Sequence, residues 1–223
     1  MAETYVEYIR ELIITKTIGA PIYSADMANQ MEKKYHISQR EASANTAVAV
    51  KRIMDRGLLP ELRCYQKGIY FRTADTPFGE TGIDKEQLIA DRYIVHDNGY
   101  DGGFRLLYQM GLTTQIPADR VVVTNKAGKG MRKDRKLEIS ICPPHTKITT
   151  DNKEYLKVLD VLEIMQKAPI DADAPYRMLF FHIRKMELDF GKLMAYAALY
   201  YNRNTLTNLA KVAVEGGIAD ETA

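Results

Sequence analysis

The chain has 223 residues, 46% apolar and 27% charged, with 31 lysines and arginines against 29 aspartates and glutamates, a balance that excludes wholesale disorder and fits one large domain or two small ones. The longest uninterrupted apolar run, Leu193 to Tyr201, is nine residues, far short of the ~20 that a membrane-spanning helix needs. Charge is unevenly spread: Lys33 to Arg72 holds nine basic and three acidic residues, Arg120 to Lys136 seven and one, and Asp151 to the end nine and eleven. Two basic stretches ahead of a mildly acidic remainder point to a polyanion-binding part and a separate part, solubilising surface lysines being the alternative.

Tyr5, Ile9, Leu12 and Ile13 fall at helical spacing, so a helix is expected over 4–16, stopped by Gly19-Ala20-Pro21. Ser24 can cap a second helix with Met27, Met31 and Tyr35 on one face. Ser38 followed by Glu41 is a capping-box pattern; it predicts a third helix to about Arg56, ended by Gly57. Pro60 and Gly68 then punctuate two short aromatic and β-branched runs up to Arg72, a hairpin signal. Three helices and a hairpin are the order of a winged helix-turn-helix, which assigns residues 1–72 to a DNA-binding domain.

Residues 73–82 (TADTPFGETG) read as a linker, leaving 83–223 as a second domain. Helices are expected over Ile83–Val95 and Gly103–Met110, the latter stopped by Gly111. Arg120 to Thr124 reads as a strand, and 136–142 as another with one polar face, because Leu137, Ile139 and Ile141 alternate with Glu138 and Ser140. Asn125 to Asp134 between them is a basic loop or hairpin tip, and Pro143-Pro144 ends the sheet region. Helices follow: one carrying Tyr155, Leu159, Leu162 and Met165, one after Pro175, one from Phe190 to Tyr201, and one capped by Asn204 or Thr205 and closed by Gly216-Gly217. The expected fold is α+β, an N-terminal winged helix-turn-helix followed by a mixed α/β domain ending in a helical bundle.

On the third helix, Ala47, Val50 and Met54 are expected to pack inward. Ser38, Gln39, Arg40, Asn45 and Thr46 lie in its first turns, where a recognition helix meets base edges in a major groove. Arg and Gln can bond guanine and adenine bidentately. Lys51 and Arg52, with Arg63 and Lys67 on the hairpin, would hold phosphates. A solvated scaffold, or a dimerisation or docking module, fits the same pattern.

Catalytic patterns are sparse. The four histidines, 36, 96, 145 and 182, show no zinc spacing, and neither CxxC nor HExxH occurs. Asn125 to Gly130 lacks the Lys-Ser/Thr ending of a phosphate loop, and neither Gly102-Gly103 nor the pair Asp119 and Glu138 is followed by the residues that two-metal or nuclease chemistry needs. Cys64 and Cys142 each read as a small buried hydrophobe in a reducing cytoplasm. Glu3, Glu7, Arg10 and Glu11 break any apolar leader, so no secretory signal is expected. The expectation is a cytoplasmic protein that is not an enzyme and takes no cofactor, metal or membrane.

Lys67-Gly68-Ile69-Tyr70-Phe71-Arg72, then Tyr108-Gln109-Met110-Gly111-Leu112-Thr113-Thr114-Gln115-Ile116-Pro117 ahead of Val121 to Val123, resembles the AbiEi-type antitoxins of bacterial type IV (abortive infection) toxin–antitoxin systems. The resemblance spans roughly residues 5–150 and is most specific over Gly111 to Pro117, itself readable as a helix C-cap and a threonine-rich turn. It implies a transcriptional repressor that binds inverted repeats in its own promoter as double-stranded DNA, as two molecules or a homodimer. It also implies a second domain that counters a nucleotidyltransferase-like toxin, with or without direct contact. The DNA contacts it implies are Ser38, Gln39, Arg40, Asn45, Thr46, Arg52, Arg63 and Lys67; the antitoxin surface is Lys129, Arg132, Lys133, Arg135 and Lys136. A plain winged-helix regulator with a ligand-sensing or dimerising second domain, or an interaction adaptor, is the alternative.

Overall fold

The computed structural model describes residues 4–217. Helix α1 (Tyr5–Ile14) starts at Thr4, whose hydroxyl accepts from the Glu7 N–H while the Glu7 carboxylate accepts the Thr4 N–H, a reciprocal box that satisfies two end donors. A two-residue strand, β1 (Ile22–Tyr23), runs straight into α2 (Ser24–Tyr35), and α3 (Gln39–Asp55) follows. Ser24 is therefore the first helical residue and not the cap; its N–H donates to the Gly68 carbonyl at 2.9 Å, because the adjoining sheet takes up that donor. His36, at φ 51°, occupies the left-handed C-cap of α2.

Strands β2 (Leu62–Gln66) and β3 (Ile69–Arg72) form the hairpin, and the sheet order is β1-β3-β2, all antiparallel, with Ile22 opposite Tyr70 and Leu62 opposite Arg72. Ile9, Ile13, Ile22, Met27, Met31, Val50, Ile53 and Leu62 form one buried cluster, each large side chain adding roughly 1.5–3 kcal/mol of burial.

The expected linker is itself folded. Strands β4 (Asp75–Thr76) and β5 (Gly79–Glu80) make a small antiparallel hairpin with Phe78 fully exposed at its turn. The Thr73 N–H donates to the Glu61 carbonyl, and the Asp84 N–H to that of Gly19. Thr73 to Asp84 thus belongs to the first of two compact units, one ending at Leu88 and the other beginning at Ile89.

The division falls in α4 (Lys85–Ile89), whose last residue leads into a π-helical turn, Ala90–Ile94. The second unit then holds β6 (Gly99–Gly102), α5 (Phe104–Gln109), β7 (Arg120–Thr124), β8 (Arg132–Asp134) and β9 (Ile139–Cys142), in the order β6-β7-β9-β8. β7 and β9 run parallel and the other pairs antiparallel. The strand expected over 136–142 is shorter: Glu138 turns the chain at φ 58°, and Ser140 is buried along with Ile139 and Ile141, so both faces of this strand are covered and the expected polar face is not solvated.

Helices α6 (Lys153–Ile164), α7 (Pro175–Lys185), α8 (Phe190–Tyr200) and α9 (Arg203–Glu215) complete the unit. α6 buries Leu156, Val158, Leu159, Val161 and Leu162 against α5, α8, α9 and β6. Asn202 caps α9, accepting the Thr205 N–H at 3.0 Å; Thr205 sits at the third helical position and is buried there, which corrects the cap assignment. Gly111, at φ 72°, ends α5 and lets the Leu112 N–H reach the Leu107 carbonyl. Beyond it the Thr114 N–H and hydroxyl both donate to Asp171, which holds that carboxyl below its ordinary range. The chain is mixed α+β throughout, and no helix among the described residues is long and apolar enough to cross a membrane.

Candidate nucleic-acid interface

α3 is set by its first turn and its buried stripe. Ser38 Oγ accepts the Glu41 N–H at 3.3 Å, and Gln39 Nε2 donates to Asn29 Oδ1 on α2 at 2.7 Å. Both residues are exposed, and both bonds fix where the helix begins. Ala42, Thr46, Ala49, Val50 and Ile53 are buried as α3 packs on α1 and α2.

This stripe corrects the expected phase. Ala47 and Met54 are exposed, whereas Ala49 and Thr46 are buried. Thr46 is 1% exposed, and its hydroxyl faces Met31 Sδ at 3.8 Å, so it is a core residue and cannot touch DNA. Four alanines along the helix leave its inward face ambiguous, because alanine is tolerated on either side. Asn45 lies on the flank, half-buried.

Opposite the buried stripe, at intervals of three and four residues, stand Arg40, Ala44, Val48 and Lys51, all exposed, with Ala47 and Arg52 beside them. Ala44 and Val48 are absent from the sequence-derived set. Locating them takes the phase of the helix, since an apolar residue in an alanine-rich segment reads as core.

On the β2–β3 hairpin, Lys67 is exposed at the turn beside Gly68, whose φ of 84° favours glycine. Arg63 is committed elsewhere: its Nη2 lies 2.6 Å from Glu80 Oε1, and its Nη1 donates to the Pro60 carbonyl at 2.6 Å. The Glu80 carboxylate pushes the guanidinium pKa further up and offsets its positive charge. Glu80→Ala should release it. On duplexes of any sequence the log–log salt slope is then expected to steepen by about one, measured by fluorescence anisotropy; an unchanged slope would mean that Arg63 reaches no phosphate.

In the second unit Lys129, Arg132, Lys133, Arg135 and Lys136 are all exposed. Arg132 and Lys133 lie on β8, the outer strand of its sheet, and Arg135 and Lys136 on the turn into β9. Asp134 between them accepts the Lys136 and Leu137 N–H groups. Arg120 does not join this rim, because its guanidinium is paired inside the sheet with Asp101 at 2.6 Å. Cys64 is exposed, contrary to expectation, and Cys142 is half-buried with its thiol pushed up by burial.

One cluster brings metal-ligating types together: His145, Asp160 and Glu163 have donor atoms within 4.8 Å of one another. They are already joined to protein partners. Asp160 accepts from Tyr201 and Tyr100 hydroxyls at 2.6 and 2.8 Å, Glu163 accepts from Asn202 Nδ2 at 2.9 Å, and His145 Nε2 meets Glu163 at 2.9 Å. The His145 ring lies 4.1 Å from that of Tyr201. Burial pushes the Asp160 carboxyl up to about 6, against the opposing effect of the two hydroxyls. Its chemistry is that of a hydrogen-bonded brace between α6, β6 and the α8–α9 junction, and of its groups the sequence offers only His145, as one of four histidines without zinc spacing.

No family model matches the chain, and no curated protein matches it. Among solved structures, the crystal structure of the RV2827C protein from Mycobacterium tuberculosis is similar at 10% identity and a TM-score of 0.47, over 94% of this chain and 75% of that one.

Proposed function

We propose that this chain is a sequence-specific DNA-binding repressor that reads its operator through a winged helix-turn-helix in its first 72 residues, and that it is the antitoxin of a bacterial operon whose toxin is nucleotidyltransferase-like. The observation that carries the DNA half is the outward stripe of α3, which joins Arg40 and Lys51 through small side chains. The helix bearing it follows α2 after a three-residue connection and precedes an antiparallel hairpin tipped by Lys67. In this reading Arg40 meets a base edge, and Lys51, Arg52 and Lys67 hold phosphates; that all four are exposed supports it. The antitoxin half is supported by the resemblance over Lys67 to Arg72 and Tyr108 to Pro117, and its surface is the basic rim around β8.

The test is a gel shift with the chain's own promoter fragment beside a scrambled fragment of equal length, across a salt series. Selective retention is expected. Arg40→Ala should reduce discrimination between the fragments about tenfold, whereas Lys67→Ala should weaken both alike and lower the salt slope by about one. Equal loss on both fragments for both variants would overturn this division of roles, and no retention even at low salt would overturn the repressor. Rescue of growth when the chain is expressed with the neighbouring gene's product tests the antitoxin half separately.

A further inference from the structure

We propose that α3 recognises thymine through its C5-methyl group, with Val48 and Ala44 as the contacting side chains; the inference rests on the DNA-binding reading above. Val48 is 49% exposed in the middle of a helix whose buried stripe lies on the other side. Ala44 stands one turn before it on the same outward line, and Ala47 lies beside both. A lone exposed apolar residue is ordinary on a protein surface. This pair instead occupies the centre of the stripe that a groove-bound helix turns toward the bases, with Arg40 at one end and Lys51 and Arg52 at the other. The exposed acids Glu41 and Asp55 lie toward the two ends of the helix, so no exposed position between them is acidic, and Ala44, Ala47 and Val48 share the central turns with the polar Ser43 and Asn45.

That arrangement has one fitting counterpart in duplex DNA. In the major groove each base pair shows a distinct edge, and thymine alone offers an apolar methyl. Short side chains at positions 44, 47 and 48 let the helix axis approach the base edges closely. Val48 is β-branched and holds one rotamer in a helix, so it loses little freedom on contact. The flanking cations attract the backbone without choosing a sequence. Discrimination then comes from Arg40 toward guanine and from Val48 with Ala44 toward thymine.

The experiment begins with selection from a random duplex pool by the full chain, followed by resynthesis of the selected duplex with deoxyuridine in place of thymidine. This exchange removes the methyl and keeps the Watson–Crick edge. Wild type is expected to bind the uracil duplex more weakly by about fourfold for each contacted methyl. Val48→Ala should bind the thymine duplex about fourfold more weakly than wild type and show a correspondingly smaller thymine-to-uracil ratio. Val48 is exposed and alanine favours helix, so a circular dichroism spectrum like that of wild type is expected for the variant. Equal affinity of wild type for both duplexes, or an unchanged ratio in Val48→Ala, overturns the methyl contact alone. Failure of the pool to enrich any sequence overturns the DNA-binding reading and the methyl contact with it.

Discussion

Gly99→Ala is expected to destabilise the second unit by about 3 kcal/mol or more, seen as a fall of about 10 °C in its thermal midpoint. Gly99 opens β6 opposite Thr124 on β7, and four residues separate it from the end of the π-helical turn. A Cβ at this position would run into two backbone oxygens, that of Tyr93 in the turn and that of Val123 in β7, the second at 2.5 Å. Neither can rotate aside, so the turn or the strand pairing must move. Gly102→Ala, three residues on, is the useful comparison. Its added carbon meets Val123 Cγ2 and Val121 Cγ1, which are side-chain atoms, and a loss of about 1–2 kcal/mol is expected there. Calorimetry of the three proteins decides it: if Gly99→Ala costs no more than Gly102→Ala, the turn and β7 do not crowd Gly99 as described.

The second large effect is a pH dependence centred on Asp160. Its carboxyl titrates at about 6 in the folded chain against an ordinary value of 3.8. The folded state therefore holds this proton more tightly than the unfolded state, and the group's contribution to stability falls as pH rises from about 4 through about 6. The full swing is at most about 3 kcal/mol. His145 and Glu163 face the same carboxyl from either side of the charge balance, the first favouring ionisation and the second opposing it. Asp160→Asn, which resembles the neutral acid, isolates the effect. Urea unfolding between pH 4.5 and 7.5 should show wild type losing stability relative to Asp160→Asn as pH rises. Parallel profiles would refute the assignment. Tyr201→Phe, which removes a hydroxyl that favours the charged form, should move the wild-type midpoint further up.

What the sequence reveals, and what it hides, follows from how far each determinant reaches along the chain. α1, α2 and α3 are marked by apolar spacing and by local caps such as Ser38 with Glu41, and these are legible within a few residues. β1 is two residues long, and β6 is built from Gly-Tyr-Asp-Gly; both are strands because a partner strand pairs with them, which no local composition signals. The inward phase of α3 is obscured by its alanines, and with it the exposure of Val48 and the burial of Thr46. The Arg63–Glu80 pair joins residues 17 apart through a hairpin that reads as linker. The brace around Asp160 draws on Tyr100, His145 and the adjacent Tyr201 and Asn202, three stretches far apart in sequence and chemically unremarkable until folding assembles them.

The placement of β8 has a bearing on self-association. As the outer strand of its sheet it offers unpaired main-chain donors and acceptors to any second strand that approaches. Arg132 and Lys133 put like charges along that margin, with Arg135 and Lys136 just beyond, so two copies meeting edge to edge repel one another. Charge-reversing substitutions made to probe binding by this rim would also lift that repulsion. A loss of the proposed antitoxin activity in such a variant is therefore interpretable only beside its sedimentation behaviour, since a chain lost to strand-paired oligomers and a chain with a disabled contact surface would give the same growth phenotype.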